Sequence, residues 1–345
     1  MPPALPTHPV LPPGKRFPLT RATAGCVLVV VLATGVGAEA LAGSASEARR
    51  LLERMTSATR NLNYDGDFVY RRADSVETMA MRIIHRRGPD GERERLVALN
   101  GVPREVLRDG EKVTCYLPDD REVWQSRSEP RPLTHARAFE GNGGPGPSYA
   151  LSTRRGTRVA GRQTDLVEVR PRDEYRYGYR LWVDRETGLL LKSELVDAAG
   201  KALEIIVYTR LQVLDEIPDR LLEPENSAEG YTWYRSGDKA AGADAQTGPA
   251  WQAWLPSGFE QRDYARDAMP KSQAVVEHLV FSDGLASVSV FIEERRGTGA
   301  EHLSGLERMG AVNAYGTTID GVQVTVVGEV PAVTVEKIGK SLSRR

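Results

Sequence analysis

Hydrophobic and polar residues alternate in short runs along most of the chain, a pattern that is typical of strands. From Tyr64 to Leu214 these runs are interrupted by Gly, Pro or Asp at intervals of about ten residues, which favours antiparallel pairing. The predicted strands span 67–71, 78–85, 94–99, 104–107, 112–117, 122–125, 166–170, 175–183, 189–196 and 203–214. So many short strands around one or two helices indicate a strongly curved sheet or an open barrel.

A helix is predicted ahead of these strands. Ser44 is followed three residues later by Glu47, which is the spacing of a capping box at a helix N-terminus. Apolar residues then recur at helical spacing, at Leu51, Leu52, Met55, Ala58 and Leu62. We therefore expect an amphipathic helix that begins near Ser44 and covers the sheet with its apolar face.

A second region of alternation follows a break in the pattern. Residues 240–249 are small, polar and aperiodic, as in an interdomain linker. Beyond them we predict strands at 275–281, 285–293, 311–317 and 322–329, and a final helix that begins at Pro331. The expected product is a short antiparallel sheet covered by one or two helices. The predicted divisions are a first domain at 43–225, a linker at 226–250 and a second domain at 251–345.

The alternation is absent between Arg127 and Tyr149, where Pro and Gly are frequent. Gly141, Gly143 and Gly146 have the spacing of a nucleotide-binding glycine motif, but no strand precedes them and a proline follows. We therefore exclude a nucleotide site there. We expect a mobile loop that acts as a lid over one edge of the sheet.

The first 42 residues have the pattern of a secretory leader. Lys15, Arg16 and Arg21 precede an uncharged run, 22–38, and the small residues around 38–42 suit a signal peptidase. A retained membrane anchor, which is the alternative, needs about 20 more strongly apolar residues. We predict that residues 1–42 are a cleaved signal peptide and that the protein acts outside the cytoplasm.

Charge adds one local feature to this picture. The formal net charge is -1 and nothing global points to nucleic acid, so we expect no nucleic-acid partner. Eight Arg and no Lys lie between Arg154 and Arg180. Two interpretations remain open for this cluster, a local anion-binding face or a solvated strand face in an arginine-rich chain, and we favour the second.

Residues with catalytic spacing are missing from the sequence. It contains no nucleophile elbow, phosphate-binding loop, paired metal-binding histidines or cysteine cluster. Cys115, which remains after removal of the leader, lies in a predicted strand and is most simply a small buried apolar residue. We therefore predict no catalytic residues, no metal site and no cofactor, and a protein that binds partners rather than an enzyme.

Large side chains on the predicted strands suggest a cavity. A curved sheet with large apolar side chains on its concave face can hold a lipid-like ligand. The alternative, which we favour on alternation alone, is that these side chains fill an ordinary core under the first helix. The candidate residues are Met81, Ile83, Trp124, Tyr177, Tyr179 and Trp182.

Several stretches, in this order, resemble one protein family. They are YDGDFVY at 64–70, MRIIHR at 81–86, GVPREV at 101–106, VTCYLP at 113–118 and YRLWVDRETGL at 179–189, then WLPSGF at 254–259, FSDGL at 281–285 and VVGEVP at 326–331. Together they resemble the RseB/MucB family of periplasmic regulators of the envelope-stress sigma factor. No single stretch is decisive, but the ordered set is specific and extends over nearly the whole chain after the leader.

The resemblance implies both a fold and a function. It implies an N-terminal domain similar to lipoprotein carriers, an open β-barrel with helices, followed by a smaller C-terminal α+β domain. Family members bind the periplasmic domain of an RseA/MucA-type anti-sigma factor, protect it from site-1 proteolysis and release it on sensing lipopolysaccharide or lipid A. The implied location is the periplasm, with lipid sensing in the first domain and anti-sigma factor binding in the second.

The resemblance also extends the site predictions. Arg176 and Arg180 join the candidate lipid-binding residues because arginine at a cavity mouth suits a phosphorylated lipid. Candidate partner-binding residues are Trp254, Phe259 and Phe281. A homo-oligomer stays open, and the alternative function is a periplasmic lipid or lipoprotein carrier. The loop at 139–149 departs from the family, since it is richer in Gly and Pro than the expected helix-forming segment.

Overall fold

A computed structural model of the chain describes residues 36–89, 91–126, 135–139, 144–225, 227–236, 251–268, 275–294 and 303–344. The predicted signal peptide lies outside the described residues except for 36–42, and so does most of the predicted loop between 127 and 149. Among the described residues, no helix is both long and apolar enough to cross a membrane.

The first part of the chain forms one long helix, one short helix and twelve strands. The helices are α1 (Val36–Asn61) and α2 (His135–Ala138). The strands are β1 (Tyr64–Arg72), β2 (Thr78–Gly88), β3 (Gly91–Ala98), β4 (Glu105–Asp109), β5 (Lys112–Leu117), β6 (Glu122–Ser126), β7 (Tyr149–Arg155), β8 (Thr164–Pro171), β9 (Gly178–Asp184), β10 (Leu190–Val196), β11 (Ala202–Val213) and β12 (Thr232–Ser236).

These twelve strands form one sheet in the order β12-β6-β5-β4-β3-β2-β1-β11-β10-β9-β8-β7. Neighbouring strands are antiparallel, apart from β12, which pairs in parallel with β6. The edge strands β12 and β7 do not pair with each other in the described part of the chain, so the sheet stays open. The predicted fold class, an open β-rich domain with helices, is confirmed.

Helix α1 covers the sheet as predicted, but it does not begin at the predicted capping box. Leu51, Leu52 and Met55 are buried on its sheet-facing side. Ser44 lies inside the helix, and its Oγ accepts a hydrogen bond from the backbone N–H of Thr153 at 3.1 Å. The Ser44 hydroxyl therefore bonds to β7 instead of capping the N-terminus of its own helix, because the Thr153 N–H competes for the same oxygen.

The second part of the chain forms a separate six-stranded sheet and one helix. The elements are β13 (Trp251–Gln252), β14 (Glu260–Ala268), β15 (Val275–Ser282), β16 (Ser287–Glu294), β17 (Gly305–Met309), β18 (Val312–Ile319), β19 (Val322–Gly328), α3 (Ala332–Ser341) and β20 (Ser343–Arg344). The sheet has the order β14-β15-β16-β19-β18-β17, and β13 pairs with β20. Helix α3 follows Pro331 and buries Val335 and Ile338 against the sheet. The predicted α+β class of this domain is confirmed.

Several boundaries differ from the sequence predictions. Strand β12 lies inside the segment that was predicted as a linker, and it belongs to the first sheet. Strand β9 begins at Gly178, so Tyr175 and Tyr177 precede it rather than form part of it. Gly178 also approaches Val169 O so closely that a Cβ atom would lie 2.8 Å from it, which explains why the close strand pairing begins at a glycine.

Candidate functional site

The inner face of the first sheet and the two helices enclose an apolar core. Leu52 and Met55 of α1 belong to one buried cluster with Val169 and Leu181 of β8 and β9. A small cavity of about 20 Å³ remains between α1, α2, β10 and β11, which is room for about one water molecule. Its wall includes Thr59, Tyr64, His135, Ala136, Ile206 and Tyr208. Side chains therefore fill most of the space where a ligand was predicted.

Three of the predicted lipid-binding residues lie on this inner face. Met81 and Ile83 are buried in one cluster with the cavity residues Ile206 and Tyr208. Tyr179 is buried beside α2. Of the remaining five, Tyr177 lies at the border of this core, where its hydroxyl accepts a hydrogen bond from the second domain. The inner face thus brings together residues from β2, β9 and β11 that are distant in sequence.

Three other predicted residues lie elsewhere. Trp182 and Arg180 are on the face of β9 opposite Tyr179, where Trp182 belongs to a separate apolar cluster and Arg180 pairs with Glu194 at 2.8 Å. Trp124 is in β6, and its ring stacks on a tyrosine of β12 with centroids 4.4 Å apart. Alternation predicted which residues share a strand face, but these three do not border the inner cavity. Lipid contact by these residues stays a prediction.

Helix α2 closes the cavity, and sequence reasoning missed this role. The rings of His135 and Phe139 contact Tyr179 edge-on, with centroids 5.5 and 5.2 Å away. His135 Nδ1 lies 2.9 Å from Ser193 Oγ, which fixes the imidazole in the wall. The spacing of Ala136 and Phe139 within the Gly/Pro-rich segment was the signal for a short buried turn. The described part of this segment covers the interior of the sheet rather than its edge.

The arginine cluster between 154 and 180 is largely paired with carboxylates. The ion pairs are Arg154 and Arg170 with Glu168, Arg162 with Asp184, Arg176 with Asp283, and Arg180 with Glu194. In each pair the carboxylate neutralises the positive charge of the arginine, which weakens its attraction for an anionic ligand. The pairing supports the interpretation as an ordinary strand face over an anion-binding face.

Cys115 has the environment of a structural cysteine. Its side chain is half-buried in β5, and this burial raises the pKa of the thiol above its usual value. A raised pKa keeps the thiol protonated at neutral pH, and the thiol is less nucleophilic than the thiolate.

Arg176 joins the two domains and is almost completely buried. Its guanidinium pairs with Asp283 of the second domain, and its Nη2 donates to the carbonyl oxygen of Ser257 at 2.8 Å. Asp173 supplies a second carboxylate at 3.0 Å. The guanidinium also lies over the ring of Phe259, 5.1 Å from its centroid. Because its Nε, Nη1 and Nη2 all have acceptors and Arg176 is buried, it connects the two domains and is not an open lipid contact.

Tyr149 completes this connection. Its hydroxyl donates to Asp283 Oδ2 at 3.0 Å. Burial, followed by the neighbouring Asp283 carboxylate, raises the pKa of Tyr149 well above its usual value. The phenol therefore stays protonated at neutral pH and can serve as a donor.

Further contacts extend the domain interface along the segment before β9. Thr334 Oγ1 donates to the carbonyl oxygen of Tyr175 at 2.8 Å, and Lys337 Nζ donates to the Tyr175 hydroxyl at 2.9 Å. Asn313 Nδ2 donates to the Tyr177 hydroxyl at 3.1 Å. Leu285 and Ala311 of the second domain pack against the apolar core of the first. The two domains therefore share part of one core.

The predicted partner-binding residues lie at or under this interface. Trp254 is half-buried and contacts the Tyr175 ring edge-on at 5.0 Å between centroids. Phe259 is buried beneath Arg176, and Phe281 is buried in the core of the second domain. Whether these residues touch a partner stays a prediction.

Comparison with known proteins matches both halves of the chain. The family model described as the MucB/RseB N-terminal domain matches residues 47–226, and the model described as the MucB/RseB C-terminal domain matches residues 245–343. The sigma factor AlgU regulatory protein MucB of Pseudomonas aeruginosa is 35% identical over 318 residues, 87% of this chain and 92% of that protein. The sigma-E factor regulatory protein RseB of Escherichia coli K12 is 25% identical over 305 residues, 85% of this chain and 89% of that protein.

Solved structures agree with these sequence matches. The crystal structure of MucB in complex with MucA(peri) has a TM-score of 0.64 and 31% identity, and covers 86% of this chain and 99% of that chain. The crystal structure of MucB without a named partner has a TM-score of 0.58 and 32% identity, and covers 87% of this chain. The similarity extends over both domains in each case.

Proposed function

The chain belongs to the MucB/RseB family, and from this premise we propose that it is a periplasmic negative regulator of an envelope-stress sigma factor. It binds the periplasmic domain of a MucA-type anti-sigma factor and protects it from site-1 proteolysis. The observation that carries this proposal is the match to both family domains, together with the similarity to MucB in a complex with MucA(peri). Its activity is binding and not catalysis, as the names of its relatives, all regulatory proteins, suggest.

Exposed apolar side chains near the domain interface support a protein partner. Val76, Leu99 and Val102 lie at one end of β2 and β3 and are more than half exposed. Met309 of the second domain is 64% exposed, and the adjacent Gly310 N–H donates to Asp74 Oδ2 at 2.9 Å, beside Val76. Contiguous exposed apolar surface is typical of a protein-binding site. We propose this surface, together with Trp254, as the contact for the anti-sigma factor, while Phe259 and Phe281 act by positioning the second domain.

Lipopolysaccharide or lipid A is the proposed signal for release. The inner face with Met81, Ile83 and Tyr179 supplies apolar wall for an acyl chain, but the cavity of about 20 Å³ is far smaller than a lipid. Binding therefore requires displacement of α2, a helix of four residues, against the cost of exposing its buried side chains. Arg180, which lies beside Glu194 on the opposite face of β9 with 31% of its side chain exposed, is the proposed phosphate contact.

The shared core supplies a physical route from lipid to partner. Phe139 of the cavity lid and Leu285 and Ala311 of the second domain belong to the same packed cluster. An acyl chain that displaces Phe139 disturbs the packing of the second domain against the first. The lipid-bound state therefore binds the partner more weakly. By linkage, the partner weakens lipid binding by the same factor.

A protease-protection assay tests the regulator proposal. The chain without residues 1–42 is mixed with the periplasmic domain of MucA and the site-1 protease, and the intact MucA fragment is measured over time. We expect slower cleavage when the chain is present. Unchanged cleavage together with no binding in a pull-down would leave the lipid-carrier alternative as the better explanation.

Addition of lipopolysaccharide to the same assay tests the proposal that lipid releases the anti-sigma factor. Intact lipopolysaccharide should restore cleavage, whereas lipopolysaccharide from which the acyl chains have been removed should not, because it cannot occupy an apolar cavity. Protection that persists at saturating lipopolysaccharide would contradict lipid sensing but leave partner binding intact.

A further inference from the structure

His85 of strand β2 is completely buried, and one of its ring nitrogens has a fixed role. Its Nδ1 lies 2.8 Å from the carbonyl oxygen of Leu62. Because a carbonyl oxygen only accepts hydrogen bonds, Nδ1 must carry a proton. The ring also stacks on Tyr64 with centroids 4.8 Å apart. Both contacts hold the imidazole in one orientation, with its second nitrogen directed at strand β3.

That second nitrogen, Nε2, faces carboxylates. Among the described residues it has no hydrogen-bond partner, although it lies 3.2 Å from Glu92 Oε1. Glu94 is directly opposite His85 in the strand register, and Nε2 and one oxygen from each glutamate all lie within 4.8 Å of one another. In the neutral imidazole with Nδ1 protonated, Nε2 presents a lone pair to these oxygens. Such an arrangement is repulsive unless a cation lies between the atoms.

We propose that His85, Glu92 and Glu94 bind a divalent metal ion of the zinc class. Imidazole nitrogen and carboxylate oxygen are the ligand types that Zn²⁺ accepts, and three protein ligands leave a fourth position for water. The hydrogen bond from Nδ1 to Leu62 O is the outer contact that metal-binding histidines usually make, and it directs the lone pair of Nε2 to the ion. The ion connects the β2–β3 hairpin to the segment that follows helix α1.

An open polar cleft of about 470 Å³ reaches one of the three side chains, Glu92, and provides a route for the ion. Glu92 lies in its wall, with Ser57 and Arg60 of α1 and Arg87 of β2. Arg87 and Arg108 are opposite Glu92 and Glu94 in the strand register, and their positive charge opposes binding of a cation. We therefore expect an affinity in the micromolar range rather than a tighter one.

Calorimetric titration of the metal-free chain with Zn²⁺ tests this site. Wild-type protein should bind one ion, and both Glu92→Gln and Glu94→Gln should weaken binding about tenfold or more. Both replacements keep the side-chain size, so the β2–β3 hairpin should still form, and circular dichroism checks this for each variant. Zn²⁺ should also raise the melting temperature of the wild type by more than that of these two variants.

Two glutamate variants serve as matched controls. Glu111→Gln changes an exposed side chain in the turn between β4 and β5. Glu329→Gln changes a second group of possible ligands, which comprises His135, Glu204 and Glu329. Both should bind Zn²⁺ like the wild type. Absence of saturable binding by the wild type, or equal binding by Glu92→Gln and Glu94→Gln, would overturn the proposal and leave the contact between His85 and Glu92 with a structural role only.

Discussion

Asp184 shows how one side chain organises the turn between β9 and β10. Its Oδ2 accepts hydrogen bonds from the Thr187 hydroxyl at 2.6 Å and from Arg162 Nε at 2.8 Å. Burial alone would raise the pKa of Asp184, but these hydrogen bonds outweigh it and hold the pKa below its usual value. The same turn receives Arg54 of α1, whose guanidinium donates to the carbonyl oxygens of Arg185 and Glu186. The Asp184 carboxylate therefore stabilises the turn against which helix α1 packs.

Asp184→Asn should lower the free energy of unfolding by roughly 1.5–3 kcal/mol, because it removes hydrogen bonds to a charged acceptor. A depressed carboxyl pKa stabilises the folded state above the usual pKa of about 3.9, and this stabilisation is lost as the pH falls through the lower folded value. The difference between variant and wild type should therefore be largest above about pH 5 and shrink below pH 3.9, as measured by urea unfolding at each pH.

Asp197→Asn is the matched control for this prediction. Asp197 makes comparable turn contacts, accepting from the backbone N–H groups of Ala199 and Lys201, but on an exposed hairpin. Its replacement should cost less than about 1 kcal/mol. Equal losses in the two variants would contradict a special role for the buried carboxylate.

At the scale of elements, the sequence predicted the inner strands and missed the edge strands. The four longest elements without a predicted counterpart are β7, β12, β14 and β17, and each lies at the edge of its sheet. Alternation arises where one face of a strand is buried and the other is solvated, and an edge strand buries less. Strand β17, for example, has four exposed residues in five. The inner strands and both long helices could therefore be predicted from the local sequence. The edge strands could not, because they form by pairing with residues that are distant in sequence.

The same reasoning explains which site residues were predicted. Tyr179 and Ile83 were found because alternation places them on a buried face. The burial of Arg176 depends on Asp283, which is 107 residues away along the chain, and no local pattern reports such a pair. His85 is an isolated histidine in the sequence, and only the register of β2 and β3 places Glu94 opposite it.

Helix α2 is the element whose removal should expose the cavity. Phe139 is 4% exposed and contacts Tyr179, and burial of a phenylalanine side chain is worth about 1.5–3 kcal/mol. Phe139→Ala should therefore lower the cost of displacing α2 by about that amount and tighten binding of lipid A by roughly ten- to hundredfold. Fluorescence titration with a labelled lipid A measures this.

A second phenylalanine provides the control for the cavity prediction. Phe281→Ala removes the same ring from the core of the second domain, away from α2. It should reduce stability without tightening lipid binding. Tighter binding by both variants would mean that general loosening, and not displacement of α2, admits the lipid.

At the scale of the whole molecule, the buried pair of Arg176 and Asp283 should decide whether the domains unfold together. Removing one member of a buried ion pair leaves an uncompensated charge and costs about 3–5 kcal/mol. Arg176→Met should therefore separate the unfolding of the two domains into two calorimetric transitions. The double variant Arg176→Met with Asp283→Leu should recover part of the loss, because no charge then remains buried.

Arg180→Met is the control for this domain prediction. Arg180 lies close to Arg176 in sequence but pairs with Glu194 within the first domain at the surface. This pair does not cross between the domains, and Glu194 keeps Lys192 Nζ at 2.8 Å as a second partner, so a single transition should persist. Two transitions in this variant, or one in Arg176→Met, would contradict the assignment of Arg176 as the connection between domains.

The domain interface also provides a test of how the two proposed ligands communicate. If lipid and anti-sigma factor are coupled through the shared core, saturating lipopolysaccharide should weaken binding of the MucA periplasmic domain by about 5- to 150-fold, the usual range of allosteric coupling. In the double variant of Arg176 and Asp283 the domains are less firmly joined. The factor by which lipopolysaccharide weakens MucA binding should therefore fall toward one, while lipid binding itself is retained. Calorimetric titration of MucA with and without lipid gives the factor for each protein. An undiminished factor would mean that the ligands compete directly for one surface, since direct competition does not require an intact domain interface.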